Sequence, residues 1–174
     1  MTDVHDVPAR WLTEHARLLP PGGDALDVAC GRGRHALWLA AQGYRVRAID
    51  RDAARVHALA QEAAARRLPV RAEVLDLEAG GVTLGRSAFD VIVVVHYLHR
   101  PLFPLLLEAL RPGGTLVYET FLRQQAGRGK PTNPAFLLEP GELARLVAPL
   151  EILVEREGDH EGRFVASVVA RRPS

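Results

Sequence analysis

The residue types that do chemistry in this chain fall at the ends of apolar runs. Gly31 and Gly33 follow Ala25 to Ala29, Asp50 closes the next run, and Asp76 the third; His96 and Tyr97 follow FDVIVVV, and Glu119 and Thr120 end a fifth. A strand that ends in Gly31-x-Gly33 and turns at once into a helix gathers exposed backbone N–H groups and a positive helix N-terminus at one point, where a ligand's polar end can sit. A carboxylate at Asp50, 17 residues beyond Gly33, can accept from both hydroxyls of a ribose. Each well-made charged hydrogen bond of that kind is worth about 1.5 to 3 kcal/mol. Asp76 can accept from an exocyclic adenine amine, with the Leu77 amide facing a ring nitrogen.

Other positions carry two readings. Asp27, inside the first apolar run, either ties down loop amides or holds a ligand's ammonium group. His96 and Tyr97 either line a pocket or, because histidine titrates near neutral pH, supply a general base. His160 sits in the turn Gly158 to Gly162 with Arg163 nearby, and because turn side chains are ordinarily solvent-exposed, catalysis competes there with plain exposure. Cys30 reads as a small residue beside a ligand and not as a nucleophile, Trp38 as helix packing, and no metal ion is expected.

The elements that must position these residues follow from periodicity. Pro8 to Leu19 has Trp11, Leu12, His15, Leu18 and Leu19 at helical spacing behind a proline suited to a first turn. Pro20-Pro21-Gly22-Gly23 ends that helix, and Asp24 to Ala29 is a buried strand. A helix runs from Arg34 to the C′ residue Gly43. Then come a strand, Tyr44 to Ile49, an alanine-rich helix, Arg51 to Arg67, and a strand, Val70 to Leu75. Phe89 to Val95 is apolar on both faces, as a central parallel strand requires. A helix beginning near Pro104 is closed by Pro112-Gly113-Gly114, and Thr115 to Thr120 is the fifth strand. Alternation at this spacing predicts a parallel sheet covered on both faces. Beyond a polar loop, Arg123 to Asn133, the pattern gives a helix from Pro140 to Val147 and strands Glu151 to Glu155 and Phe164 to Ala170, antiparallel because their connection is short.

Composition narrows the class. The chain has 174 residues, 48% hydrophobic and 25% charged, with net charge +1, which predicts one globular domain over 1–174. Nothing in that balance calls for nucleic acid or a membrane surface as partner. The longest apolar runs fall short of the roughly 18 residues a membrane span needs. The N-terminus lacks the layout of a signal peptide, and the single cysteine suits a reducing compartment, so a cytoplasmic location is expected. The sequence is silent on oligomeric state.

Two kinds of cofactor suit the strand ends. Gly31-x-Gly33-x-x-Ala36 satisfies a relaxed dinucleotide fingerprint, so a nicotinamide cofactor fits the glycines and Asp50. A dinucleotide site has no need of Asp27, of an acid ending the third strand, or of a terminal hairpin, and most dehydrogenases carry a substrate domain for which 174 residues leave no room. A compact cofactor with an amino acid at one end accounts for these features better.

LDVACGRG, the acid in AIDRD, the pair in VLDLE, FDVIVVV and LRPGGTLVYET, in that order, resemble the successive motifs of class I S-adenosylmethionine-dependent methyltransferases over residues 24–120. CGRGRHALWLAAQGYRVRAIDRD with PAFLLEPGELARLV resembles the small tellurite-resistance-type methyltransferases, which act on small acceptors. The resemblance implies an α/β, Rossmann-like doubly wound sheet of about seven strands in the order 3-2-1-4-5-7-6, mostly parallel with a C-terminal antiparallel hairpin. It implies S-adenosylmethionine as cofactor and S-adenosylhomocysteine as product. Asp27, Ala29, Cys30, Gly31 and Gly33 would surround the methionine part, Asp50 the ribose, Arg51 a flank of the adenine, and Asp76 with Leu77 its edge. His96 and Tyr97 would line the methyl side, and His96, Tyr97 and His160 are the candidates for catalysis. The family has glycine where this chain has Ala29, so a positive φ there would be strained.

The expected activity is in-line methyl transfer to a small acceptor such as a thiol or a chalcogen oxyanion, in which the protein mainly aligns the reactants in a dry site. Three alternatives stand beside it: a methyltransferase acting on a macromolecule, a nicotinamide-dependent oxidoreductase, and a non-catalytic cofactor-binding protein. Residues 121–138, with Arg123, Arg128, Lys130 and two glycines, are either a solvated linker or a lid over the acceptor site.

Overall fold

The computed structural model of the chain describes residues 7–174; the first six residues of the expected N-terminal helical segment, 1–23, lie outside them. The elements are α1 (Arg10–Glu14), β1 (Gly23–Val28), α2 (Arg34–Ala41), β2 (Tyr44–Asp50), α3 (Ala53–Ala65), β3 (Val70–Val74), β4 (Phe89–Val95), α4 (Phe103–Ala109), β5 (Leu110–Phe121), α5 (Glu142–Val147), β6 (Glu151–His160) and β7 (Arg163–Arg171). They form a seven-stranded sheet in the order β3-β2-β1-β4-β5-β7-β6. The first five strands in the chain pair in parallel, while β7 runs antiparallel to both β5 and β6. This is the α/β arrangement the motifs imply.

Strand alternation divides the core in two. In β4, Val91, Val93 and Val95 pack with Ala36 and Leu39 of α2, while Ile92 and Val94 pack with Leu102 and Leu106 on the other side of the sheet. A strand apolar on both faces can be satisfied only by layers on both faces. The same alternation in β1 turns Leu26 and Val28 one way and Ala25 the other, so Asp27 faces α2.

Several boundaries differ from the sequence reading for local reasons. The expected helix from Pro8 to Leu19 is instead α1 followed by a 3₁₀ turn, Ala16–Leu18. Helix α3 starts at Ala53 because the Asp52 carboxylate accepts from the amides of Ala54 and Arg55 as an N-cap, and α5 starts after Gly141, at φ 72°. Helix α4 ends at Ala109, and Pro112-Gly113-Gly114 lies inside β5, where the register against β4 shifts between Phe89 and Val91. A Cβ on Gly114 would come within 2.8 Å of the Arg111 carbonyl oxygen, so glycine is what admits that bulge. Strand β6 continues to His160, paired with Arg163, which leaves only Glu161 and Gly162 as the turn. His160 is therefore a strand residue and not part of an exposed loop. Among the described residues no helix is long and apolar enough to cross a membrane.

Candidate active site

The carboxyl ends of β1, β2, β4 and β5 open onto three connected chambers. The first, about 310 Å³, is lined by Asp50, Arg51, Asp76, Leu77, Tyr97 and Phe136, among others. The second, about 580 Å³, takes in Cys30, Gly31, Arg32, Arg34, Lys130 and Arg163. The third, about 370 Å³, lies between α1 and the β6–β7 hairpin and is lined by Trp11, Arg34, Glu119, Arg156, His160 and Arg163. His96 lines all three. Charge is unevenly distributed: three carboxylates, Asp50, Asp76 and Glu78, border the first chamber together with Arg51 and Arg55, while the second is bordered by arginines and a lysine and by no carboxylate.

The two motif glycines do different work. Gly31 sits at φ 56°, and a Cβ there would meet nothing closer than Arg55 at 3.9 Å, so it leaves open space beside the second chamber. Gly33, at φ 79°, precedes α2, and a Cβ there would lie 2.3 Å from Leu59 of α3. Gly33 is buried between helices and does not line the chambers; it sets how closely α2 and α3 approach. Ala29 has φ 52° and His96 φ 57°. Two residues with side chains thus hold left-handed backbone at the ends of adjacent strands, facing one cavity, and strain of about 1 to 2 kcal/mol each is of the kind found where a site dictates geometry.

Asp50 is fixed by two amides: its Oδ2 accepts from Gly31 N–H at 2.8 Å and its Oδ1 from Asp52 N–H at 2.9 Å. Each oxygen keeps a further lone pair for an outside donor. Asp76 is exposed, its Oδ1 accepts from Glu78 N–H at 3.0 Å, and Leu77 beside it is buried. Tyr97 belongs with these residues and lines only the first chamber, not the arginine-rich ones. Its hydroxyl is buried and has no hydrogen-bond partner among the described residues. Burial, then the Glu78 and Asp76 carboxylates, pushes its pKa up to about 12.

Asp27 is 1% exposed and lines no chamber. Its Oδ2 accepts from the Ala36 amide at 2.9 Å, in the first turn of α2, and its Oδ1 lies 4.0 Å from His35 Nδ1. His35 Nε2 in turn accepts from the Ala9 amide at 3.2 Å, tying the chain before α1 to α2. Burial raises the Asp27 pKa to about 7. Burial and the nearby Arg34 hold the His35 pKa down to about 3. Cys30 is buried, and burial followed by the Asp27 and Asp50 charges pushes its thiol well above the usual range. A thiol so placed is a poor nucleophile.

Residues 121–138 are not a free linker. Arg123 pairs with Glu139, and Arg128 with Asp159 at 2.6 Å; Arg128 also lies over the Phe164 ring. The buried Gln125 amide accepts from Phe164 N–H at 2.9 Å and donates to the Lys130 carbonyl at 3.3 Å. The acids that hold this basic segment come from outside it, so its own composition gave no sign of them. Pro131 and Phe136 border the first chamber and Lys130 the second.

Glu119 stands at a strand end in the sequence without a role of its own there. The Glu119 carboxylate, 8% exposed, accepts from Ser167 Oγ at 2.6 Å and from Arg156 at 3.1 Å, and its Oε1 lies 4.0 Å from His96 Nε2. The signal was a register signal. Glu119 pairs with Ser167 and Ser167 with Arg156, so the polar row crosses the mostly apolar, buried stretches of β5 and β7 to reach the more polar β6.

A family profile described as a methyltransferase domain matches residues 25–114, more than half of the chain. The chain belongs to that family, and its fold is that of an S-adenosylmethionine-dependent methyltransferase of class I. Among solved structures it is similar to TehB from Haemophilus influenzae, with TM-score 0.77 and 20% identity over 92% of this chain and 61% of that one. It is similar to an S-adenosylmethionine-dependent methyltransferase from Mesorhizobium loti, with TM-score 0.73 and 19% identity over 94% and 98%. It also matches a structure from the conversion of a disulfide bond into a thioacetal group during echinomycin biosynthesis, with TM-score 0.74 and 21% identity over 98% and 84%. At these identities the likeness is one of fold. A curated relative, Hemagglutinin 1 of Eikenella corrodens, is 28% identical over 165 residues, 85% of this chain and 54% of that protein, so the chain spans about half the length of that relative.

Proposed function

We propose that this enzyme transfers a methyl group from S-adenosylmethionine to a small acceptor whose nucleophilic atom is sulfur or another chalcogen, such as a thiol or a chalcogen oxyanion. The observation that carries the reading is the meeting of three chambers at His96, one edged with acids, one with cations, and one walled by α1 and the terminal hairpin. The residues fit the cofactor. Gly31 leaves the room a Cβ would fill, the Tyr97 hydroxyl is an unpartnered buried polar atom, and Asp50 has spare lone pairs. Asp50 would take the ribose hydroxyls, and Asp76, Leu77 and Tyr97 the adenine edge, with Arg51 flanking it. Gly31, Cys30 and Ala29 would border the methionine part, whose carboxylate the cations of the second chamber would neutralise.

Bound there, the cofactor supplies an electrophilic methyl group on a positively charged sulfur. The chain's own work is alignment and exclusion of water: His96, stacked on Phe121 with ring centres 4.6 Å apart, is held rigidly where the chambers join. Asp27 would act through α2 and not on the ligand, because its observed partner is the Ala36 amide. A small acceptor is supported by the third chamber, whose 370 Å³ suits a compact molecule. The cations Arg34, Arg156 and Arg163 there favour one carrying negative charge. The fold relative from thioacetal formation gives a precedent for sulfur. A cytoplasmic setting agrees with a lone, buried cysteine.

The test is methyl transfer from labelled S-adenosylmethionine to a panel of thiols, selenite and tellurite, amines and a protein or RNA extract. Turnover on thiols or chalcogen oxyanions is expected. Labelling of the macromolecular fraction alone would refute the small-acceptor reading. Cofactor binding without turnover on any acceptor would refute the enzymatic one in favour of a binding protein.

A further inference from the structure

His96 has an unusual mount. It occupies left-handed backbone at φ 57°, its amide donates to the Glu119 carbonyl oxygen at 2.8 Å, and its ring lies on Phe121. Of its two ring nitrogens, Nε2 looks toward Glu119 Oε1 at 4.0 Å. The other Glu119 oxygen, Oε2, is already filled by Ser167 and Arg156. That leaves Oε1 as the oxygen available to the imidazole, on a carboxylate anchored through Oε2. A separation of 4.0 Å is longer than a direct hydrogen bond and is closed by a small shift of the ring or by one bridging water.

We propose that Glu119, braced by Ser167 and Arg156, is a positioning residue that fixes His96 as the Nε2–H tautomer, leaving the Nδ1 lone pair to take the proton of an acceptor whose nucleophilic atom is protonated, such as a thiol. This rests on the methyl-transfer reading given above. In the step, the acceptor's X–H bond breaks as its bond to the methyl carbon forms. The proton goes to His96 Nδ1, and the electron pair of the cleaved carbon–sulfur bond stays with the departing sulfur. The imidazolium so formed faces the Glu119 carboxylate, which stabilises it as a carboxylate stabilises a catalytic imidazolium elsewhere.

The electrostatic surroundings keep the ring neutral at rest, and Glu119 is the group that favours its charged form. The charged or titratable groups that act on His96 are Arg34 and His35 from α2, Glu119 from β5 and Arg163 from β7, while Asp50, Arg51, Arg55, Asp76 and Glu78 share the first chamber with it and Lys130, Arg156 and His160 the other two. Burial, with Arg34 and Arg163, lowers the His96 pKa to about 4, against the opposing pull of Glu119. The ring is therefore neutral at rest, and its lone pair is available throughout the neutral range.

The experiment is ¹⁵N NMR of histidine-labelled protein, with His96 assigned by its loss in His96→Gln, in the free protein and with S-adenosylhomocysteine. In the native chain His96 is expected as a single Nε2–H tautomer. In Glu119→Gln it should become a tautomer mixture with its pKa lowered by about one unit, and in Ser167→Ala, which keeps the charge but frees the carboxylate, a partial mixture. An Nδ1–H tautomer in the native protein, or a His96 spectrum unchanged by Glu119→Gln, would overturn the proposal. Should Glu119→Gln misfold, the Ser167→Ala spectrum decides alone. Calorimetry with S-adenosylhomocysteine separates the two ideas: loss of that binding in native protein defeats the cofactor reading, whereas the tautomer is read in the free protein regardless.

Discussion

At the scale of single residues, the motif positions legible in the sequence divide into those that face the cavity and those that support it. Asp50, Asp76 and Gly31 border the chambers as their spacing suggested, because the end of a parallel strand is where a side chain leaves the sheet. Asp27 and Gly33 carry the same motif but are turned inward, one to an amide of α2 and the other beneath Leu59, a distinction that depends on strand face and helix approach and is invisible in spacing alone. Ala29 answers a question the sequence raised, for its φ is 52°. Ala29→Gly should therefore stabilise the protein by about 0.5 to 1 kcal/mol, the left-handed penalty less the added entropy of the unfolded chain, read as a higher denaturant midpoint. Asp50→Asn should weaken S-adenosylhomocysteine binding by about tenfold or more, since charge-assisted bonds to the ribose become neutral ones; calorimetry on both proteins measures this.

The buried Asp27 also dictates a pH response. Its folded pKa, about 7, exceeds the unfolded value near 3.9, so its contribution to stability is complete below about pH 4 and is lost as pH rises through 7. His35 and His96 have folded values of about 3 and about 4, so their contributions are complete above about pH 6.5 and fall away in acid. In the unfolded chain His35 and His96 still titrate around pH 6.5 and oppose the Asp27 effect, so the Asp27 contribution is read as a difference between two proteins. Urea unfolding of the native protein and of Asp27→Asn, compared at each pH, should show the native advantage falling by about 1.4 kcal/mol per unit between about pH 4 and 7 and levelling off above pH 7. A parallel decline in both proteins would place the titration elsewhere.

At the scale of elements, the parallel strands were readable because β4 is apolar on both faces and each helix has its own stop signal. What the sequence left out was tertiary: the register shift that absorbs Pro112 to Gly114 into β5, and the extension of β6 through His160 by pairing with Arg163. The two glycines of the β1–α2 turn give an element-scale test. Gly33→Ala puts a Cβ 2.3 Å from Leu59 and should destabilise the α2–α3 contact by about 2 kcal/mol or more, whereas Gly31→Ala has only the backbone strain of about 1 kcal/mol and should act chiefly on cofactor binding. Equal losses of stability in the two variants would contradict that division. Residues 121–138 border two chambers and are held by Glu139 and Asp159, so amide exchange in that segment should slow when S-adenosylhomocysteine binds. Unchanged exchange there would mean that the segment is a fixed wall and not a lid.

At the scale of the molecule, a doubly wound sheet concentrates chemistry at one edge, and here the edge is graded in charge from Asp50, Asp76 and Glu78 to Arg34, Lys130 and Arg163. A cofactor with a nucleoside at one end and an amino acid at the other matches that gradient, while a dinucleotide would place its second nucleoside among the cations of the acceptor side. Calorimetric titration of the native protein with S-adenosylhomocysteine and, separately, with NADH tests this most directly. Saturable one-to-one binding of S-adenosylhomocysteine, with no heat from NADH, is the predicted result. Binding of NADH without S-adenosylhomocysteine would contradict the assignment of the cavity.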